Sequence, residues 1–228
     1  MSHALAKSRP FGAPLRLSAL AGLLLAAAAV PAAGAAEVYV ATGLPYALVG
    51  VAFPVADRVV LRADFGSIGH HGYSGTTPDN NYAGSLKYNR FAAFADWFVA
   101  GSFRLTGGVS VANGGAEMKA TAKNNSITIG GTVYDTTGDV SSTISLPSTA
   151  PYLGIGWGHA PSATPGFAFH ADLGASFGKP KATMLKAEGA LAQLVSASDL
   201  AAEDAKWQSS VGKVKAIPQL TLGASYRF

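Results

Sequence analysis

The feature that most constrains this chain is a period of two. In FAFHADLGASF the odd positions Phe167, Phe169, Ala171, Leu173, Ala175 and Phe177 form one face, and Ala168, His170, Asp172, Gly174 and Ser176 form the other. SFRLTGGVSVAN sets Phe103, Leu105, Val109 and Val111 against Arg104, Thr106, Gly108 and Ser110. QLTLGASYRF sets Leu220, Leu222, Ala224, Tyr226 and Phe228 against Gln219, Thr221, Gly223, Ser225 and Arg227. Such alternation places successive side chains on opposite faces of an extended strand. VVLRADFG, NRFAAFADWF and PYLGIGWG repeat it more weakly, and EVYVATGLPYALVGVAFPV is apolar throughout, so its register is not evident. These segments are about as long as a tilted strand needs to cross a bilayer.

Before them lies a different kind of segment. Lys7, Arg9 and Arg16 precede an apolar run from Leu17 to Val30, and Ala33-Gly34-Ala35-Ala36 follows. A positive start, an apolar middle and small residues at the end describe a secretory signal peptide over residues 1–36, cut before Ala36 or Glu37. The run is shorter than the roughly 20 residues of a spanning helix. Taking those three basic residues from the 17 Lys+Arg leaves 14 against 13 Asp+Glu, a nearly neutral domain over residues 37–228. A neutral domain offers no electrostatic footprint for nucleic acid. The absence of cysteine leaves no disulfide to consider.

A soluble lipocalin-like barrel also alternates, with its apolar face inward. Three features favour the inverse arrangement. Gly, Ser, Thr and charges share one face while Leu, Val, Ala and Phe share the other, as lipid outside and a polar filling inside would require. Aromatics gather at segment ends: Phe53, Trp97, Phe98, Phe103, Trp157, Phe167 and Phe228 beside short turns, and Phe65, Tyr88, Tyr152 and Phe177 toward long loops. Those positions suit two interfacial girdles. Finally, a sheet in lipid must close, because unpaired backbone groups find no partner there. The expected fold is therefore all-β, an eight-stranded antiparallel up-and-down transmembrane β-barrel. Its long extracellular loops fall at about residues 70–80, 114–149 and 179–214, and the last holds a short helix. Counting back from Phe228 gives seven crossings, and an eighth has to fit in 37–43, turning at Gly43-Leu44-Pro45.

Within the loops, MKATAKNNSITIGGTVYD reads as a hairpin prolonged beyond the membrane with a turn at Asn124-Asn125. SASDLAAEDAKWQSSVGKVK reads as a helix with Ser198 as N-cap and Leu200, Trp207 and Val211 as its packing stripe. In the barrel, the inward polar set is Arg62, Asp64, Arg90, Asp96, Arg104, His170, Asp172 and Arg227. Two readings of this set compete: a mutually paired filling, or a narrow polar conduit. The inward apolar residues Leu48, Val60 and Phe94 give little support to a pocket for hydrophobic solutes. His170-x-Asp172 has no nucleophile beside it, since Ser176 lies too far along the strand, so no catalytic set is expected. His70-His71, with Asp79, offers no tetrahedral ligand set. Glycines 154, 156 and 158 lie along a strand with no helix following, which points to room for bulky lumen residues rather than to a phosphate loop.

An alternating last strand ending aromatic-x-Phe, here Leu222, Tyr226 and Phe228, resembles the C-terminal signal read by the outer-membrane barrel-assembly machinery. More widely, residues 37–228 resemble the small outer-membrane β-barrel proteins of proteobacteria, the OmpA/OmpW-like superfamily, with FAAFADWFVAGSFRLTGG and APYLGIGWG as hallmarks of an uncharacterised subgroup. The resemblance implies a non-enzymatic monomer in the bacterial outer membrane, without cofactor, in contact with outer-membrane lipid and with loops open to an extracellular ligand. It leaves two alternatives open: an OmpW-like channel for small or hydrophobic solutes, and a lipid-acting enzyme. The local His-x-Ser pattern of lipid A deacylases is absent, and the chain is short for a ten-stranded protease.

Overall fold

Residues 36–77 and 80–228 are described here from a computed structural model; the expected leader lies almost wholly outside them. Eight strands form the ring: β1 (Glu37–Leu44), β2 (Ala47–Ala56), β3 (Val59–Thr76), β4 (Asn80–Ala100), β5 (Phe103–Ala122), β9 (Thr149–Trp157), β10 (Gly166–Phe177) and β13 (Ala216–Arg227). Each pairs antiparallel with its neighbour, and β13 closes on β1 from Glu37–Arg227 to Leu44–Leu220. The ring has no free edge, which is what a sheet in hydrocarbon requires. The eighth strand, β1, is short, yet both of its sides are paired along nearly its whole length. The Phe228 amide donates to the Ala36 carbonyl, so the strand ladder continues through the aromatic terminus.

Period two becomes inside and outside. Along β4, residues 90–99 alternate between buried even positions and exposed odd positions. Exposed Phe91, Val111, Leu153, Phe169 and Leu173 clothe the outer face. The outer face is continuous in large apolar groups. Parity outranks residue type, and this overturns three girdle assignments. Tyr88 and Phe98 share the even parity of Arg90 and Asp96 on β4, and Tyr152 shares that of Gly154 and Gly156 on β9; all three are buried in the lumen. Leu222, Tyr226 and Phe228 do face outward, with the Tyr226 ring 4.9 Å from Phe167 and 5.2 Å from Phe228.

Three connections at the terminal end are short: residues 57–58, 101–102 and 158–165. At the opposite end the long segments build a second body. The stretch expected as a loop at 70–80 is instead ladder, since β3 and β4 stay paired to Thr76–Asn81. β5 runs on to Ala122 and pairs with β8 (Asp139–Ser145), which carries β11 (Lys181–Ala182) and β12 (Lys186–Glu188). The turn at Asn124-Asn125 forms, with both residues at positive φ (52° and 60°), a conformation asparagine tolerates. Its return limb does not pair with β5, however. β6 (Ile127–Ile129) folds onto β7 (Thr132–Tyr134) across Gly130-Gly131, also at positive φ.

Helices α1 (Leu191–Leu194) and α2 (Ala197–Gly212) cover this hairpin. Ile127, Ile129, Val140 and Leu191 form the body's apolar core, with Leu200 packed against it. The α2 stripe thus packs over the loops; Val211 is buried and the Trp207 indole N–H donates to Ser142 Oγ at 2.9 Å. The cap is Ser196 rather than Ser198. Ser196 sits in extended backbone and its Oγ accepts from the Asp199 amide at 3.1 Å, while Ser198 already lies in the first turn.

Candidate functional site: the charged lumen

The closed ring forces its inward residues to meet, and eight strands leave an interior little wider than those side chains. Four arginines and four carboxylates occupy it, in layers along the barrel axis. The floor lies at the terminal end. Arg227 donates through Nε and Nη2 to Glu37 Oε2 at 3.3 and 2.8 Å, and through Nη1 to the carbonyls of Pro161 and Ala163 at 3.0 and 3.1 Å. The second Glu37 oxygen binds His159 Nδ1. The turn over residues 158–165 therefore folds into the barrel mouth. His159 adopts φ 59° there, is 2% exposed, and brings its ring within 4.3 Å of His170 and 4.8 Å of Tyr39.

The middle layer is a branched ion cluster. Arg62 grips Asp96 through Nε (2.5 Å) and Nη2 (3.2 Å), and the same Nη2 reaches Asp172 Oδ1 at 3.1 Å. Arg104 donates to Asp172 Oδ1 at 2.6 Å and to the Gly158 carbonyl at 2.7 Å. Its Nε stands 3.3 Å from Asp96 Oδ2, an ion pair without hydrogen-bond geometry. Thr106 completes Asp96 at 2.7 Å. Gly156 makes this crossing possible, because a Cβ there would stand 2.7 Å from the Arg104 guanidinium carbon and 2.8 Å from Asp172 Oδ1. Gly154 performs the same service for the Tyr152 hydroxyl.

Above it, Arg90 pairs with Asp64 Oδ1 at 2.9 Å, and Tyr39 donates to Asp64 Oδ2 at 3.3 Å. Arg90 lies 4.4 Å from the Tyr46 ring centroid and Arg62 lies 5.1 Å from that of Phe94. The Tyr46 face receives a cation whose Nε and Nη1 lack acceptors. Tyr46 bonds Gln219, which donates to Ser176 at 2.6 Å. The free space at this level is about 20 Å³, room for about one water molecule.

Of the eight inward residues expected from the sequence, seven enter ion pairs, and His170 lies beside Asp172 with neither ring nitrogen bonded. The sequence reading missed Glu37, Tyr39, Tyr46, His159 and Gln219. Glu37 and Tyr39 were recoverable, since pairing the first strand with the last sets Glu37 opposite Arg227. His159 and Tyr46 sit in turns and carry no periodic signal. His70 and His71 are exposed on the β3 extension, and Asp79 lies outside the described residues.

No family model matches the chain, and no curated protein matches it by sequence. Solved structures do match. CarO of Acinetobacter baumannii shares 16% identity at a TM-score of 0.56, over 85% of this chain and 97% of that one. CarO2 of the same organism shares 14% at 0.60, over 86% and 99%. At such identities the likeness is one of fold: this chain is an eight-stranded antiparallel β-barrel of the architecture seen in CarO.

Proposed function

We propose that the protein is an integral outer-membrane β-barrel of the OmpA/OmpW-like kind, with a closed lumen as anchor and the long-loop body as its working surface. The outer face supports the membrane part of this reading. Phe169 and Phe167 are 84% and 87% exposed, and the apolar stripe they belong to runs around the ring. A soluble monomer rarely exposes apolar patches beyond a few hundred Å², whereas lipid selects that surface. Leu222, Tyr226 and Phe228 face outward on β13, where the assembly machinery would read them.

The observation that carries the closed-lumen reading is the ion cluster joining Arg62, Asp96, Arg104 and Asp172 across four strands of the ring, with space for about one water beside it. Its members are bonded to one another rather than aimed along a path. Among the described residues neither ring nitrogen of His170 is bonded to a hydroxyl it could activate, as a base–nucleophile pair would require. The reading is tested in planar bilayers. Wild-type protein is expected to give no steady single-channel steps. Steps that Arg104→Trp abolishes would replace the anchor with a conduit.

A further inference from the structure

Two histidines keep ring nitrogens that the ion network does not use. Among the described residues, His159, His170 and Asp172 bring one ligating atom each to within 4.8 Å of one another, all three buried. His159 Nε2 and both nitrogens of His170 have no hydrogen-bond partner. Unpartnered polar atoms at this depth are costly and rare. Glu37 sharpens the point: its carboxylate binds His159 Nδ1, so Nδ1 carries the hydrogen and Nε2 presents a bare lone pair. A carboxylate behind one imidazole nitrogen and nothing in front of the other is the arrangement that orients a metal-ligating histidine.

We propose that His159, His170 and Asp172 form a site for a divalent transition-metal ion at the barrel floor. Two imidazoles and one carboxylate select borderline ions such as Zn²⁺ or Co²⁺ over Ca²⁺ or Mg²⁺, which prefer oxygen sets. Asp172 gives Oδ1 to Arg62 and Arg104, which leaves Oδ2 for the ion. Ligands about 2.0–2.1 Å from zinc lie closer together than 4.8 Å, so binding draws the three side chains inward by about an ångström. The two arginines oppose the added charge, which makes binding weaker than at an isolated structural site. His170 and Asp172 also line the small lumen cavity that reaches Tyr46 and Gln219.

The test uses the folded protein of residues 37–228 carrying His70→Ala and His71→Ala, so that His159 and His170 are its only histidines. Zn²⁺ is titrated by calorimetry and by imidazole ¹H–¹⁵N NMR, and Co²⁺ by visible absorption. The expected result is one equivalent bound, both imidazoles shifted, and at least about 10-fold weaker binding in His170→Gln. No binding up to about 1 mM Zn²⁺, or binding that leaves either imidazole unshifted, overturns the proposal. If His170→Gln does not fold, the two imidazole signals of the parent still decide the matter.

Discussion

Asp96→Ala separates a sealed lumen from a wet one. Asp96 is 0% exposed and answers two cations: Arg62 at 2.5 and 3.2 Å and Arg104 at 3.3 Å. Removing it leaves both arginines to share Asp172 Oδ1, which already accepts from each, and frees the Thr106 hydroxyl. Three arginines would then face two carboxylates in the middle and upper layers. Breaking one side of a buried pair costs about 3–5 kcal/mol, because the surviving charge is left desolvated. With a urea slope of about 2 kcal/mol per molar for a chain of this size, the unfolding midpoint should fall by about 1.5–2.5 M. The assay is reversible unfolding of the barrel in lipid vesicles, followed by tryptophan fluorescence. Asp57→Ala, exposed at the β2–β3 turn, serves as control and should move stability by less than about 0.5 kcal/mol. A loss below about 1 kcal/mol for Asp96→Ala, the scale of an exposed pair, would mean that water reaches the cluster, and the argument for a closed interior would fail with it.

Other perturbations probe the remaining levels. Gly156→Val drives a branched side chain into Arg104 and Asp172 and should cost about 1–3 kcal/mol, whereas Gly107→Ala, whose nearest neighbour would be Leu153 at 4.0 Å, should be close to neutral in the same unfolding assay. Leu173→Arg, mid-strand on the outer face of β10, should cost about 2–4 kcal/mol in vesicles; an unchanged midpoint would argue against lipid at that position. In α2, hydrogen bonds from Tyr134, Ser196 and Thr132 hold the Asp199 carboxyl below the usual aspartate range. A native value below the unfolded one contributes stability above the unfolded pKa, and that contribution disappears as pH falls through the native value. Carboxyl ¹³C NMR should therefore titrate Asp199 below a reference aspartate, and Ser196→Ala should move it back up while weakening α2 by about 0.5–2 kcal/mol.

Much of the architecture was legible because one physical rule repeats. A strand between lipid and a filled lumen has to alternate, so Arg62, Asp64, Arg90 and Asp96 declare the inner face of β3 and β4 without any tertiary knowledge. The same rule was set aside wherever residue type was allowed to outvote parity. Tyr88, Phe98 and Tyr152 are aromatics near strand ends, which suggests a girdle, but their even positions send them inward, where the Tyr152 ring fills the space left by glycines 154 and 174. Glu37 and Tyr39 were hidden because β1 and β2 are nearly all apolar, so only the pairing with β13 fixes their register. His159 had no local signal at all. Its inward position follows from a positive φ and from Arg227 and Arg104 binding the carbonyls around it, contacts that exist only once the ring has closed.

The two bodies of the protein divide labour by the way each is held. The lumen is held by ions: its charges lie on six of the eight strands, and each pair that spans the interior ties together strands that only ring closure brings near. Such pairs add specificity of register more readily than net stability. A one-residue slip of β3 would turn Arg62 and Asp64 toward the outer face and break the Asp96 and Arg90 contacts together. The loop body is held by an ordinary apolar core of Ile127, Ile129, Val140 and Leu191 and by bonds such as Tyr134–Asp199 at 2.6 Å. It is built on the extended ends of β3, β4 and β5 from the barrel. Changes on that outer surface therefore leave the ion network untouched, and changes in the network reach the loops only by loosening the strands beneath them. This division supports the proposed reading, in which contacts are made at the loop body; on the alternative reading of a conduit, charges left free along the axis would be expected in place of the paired set.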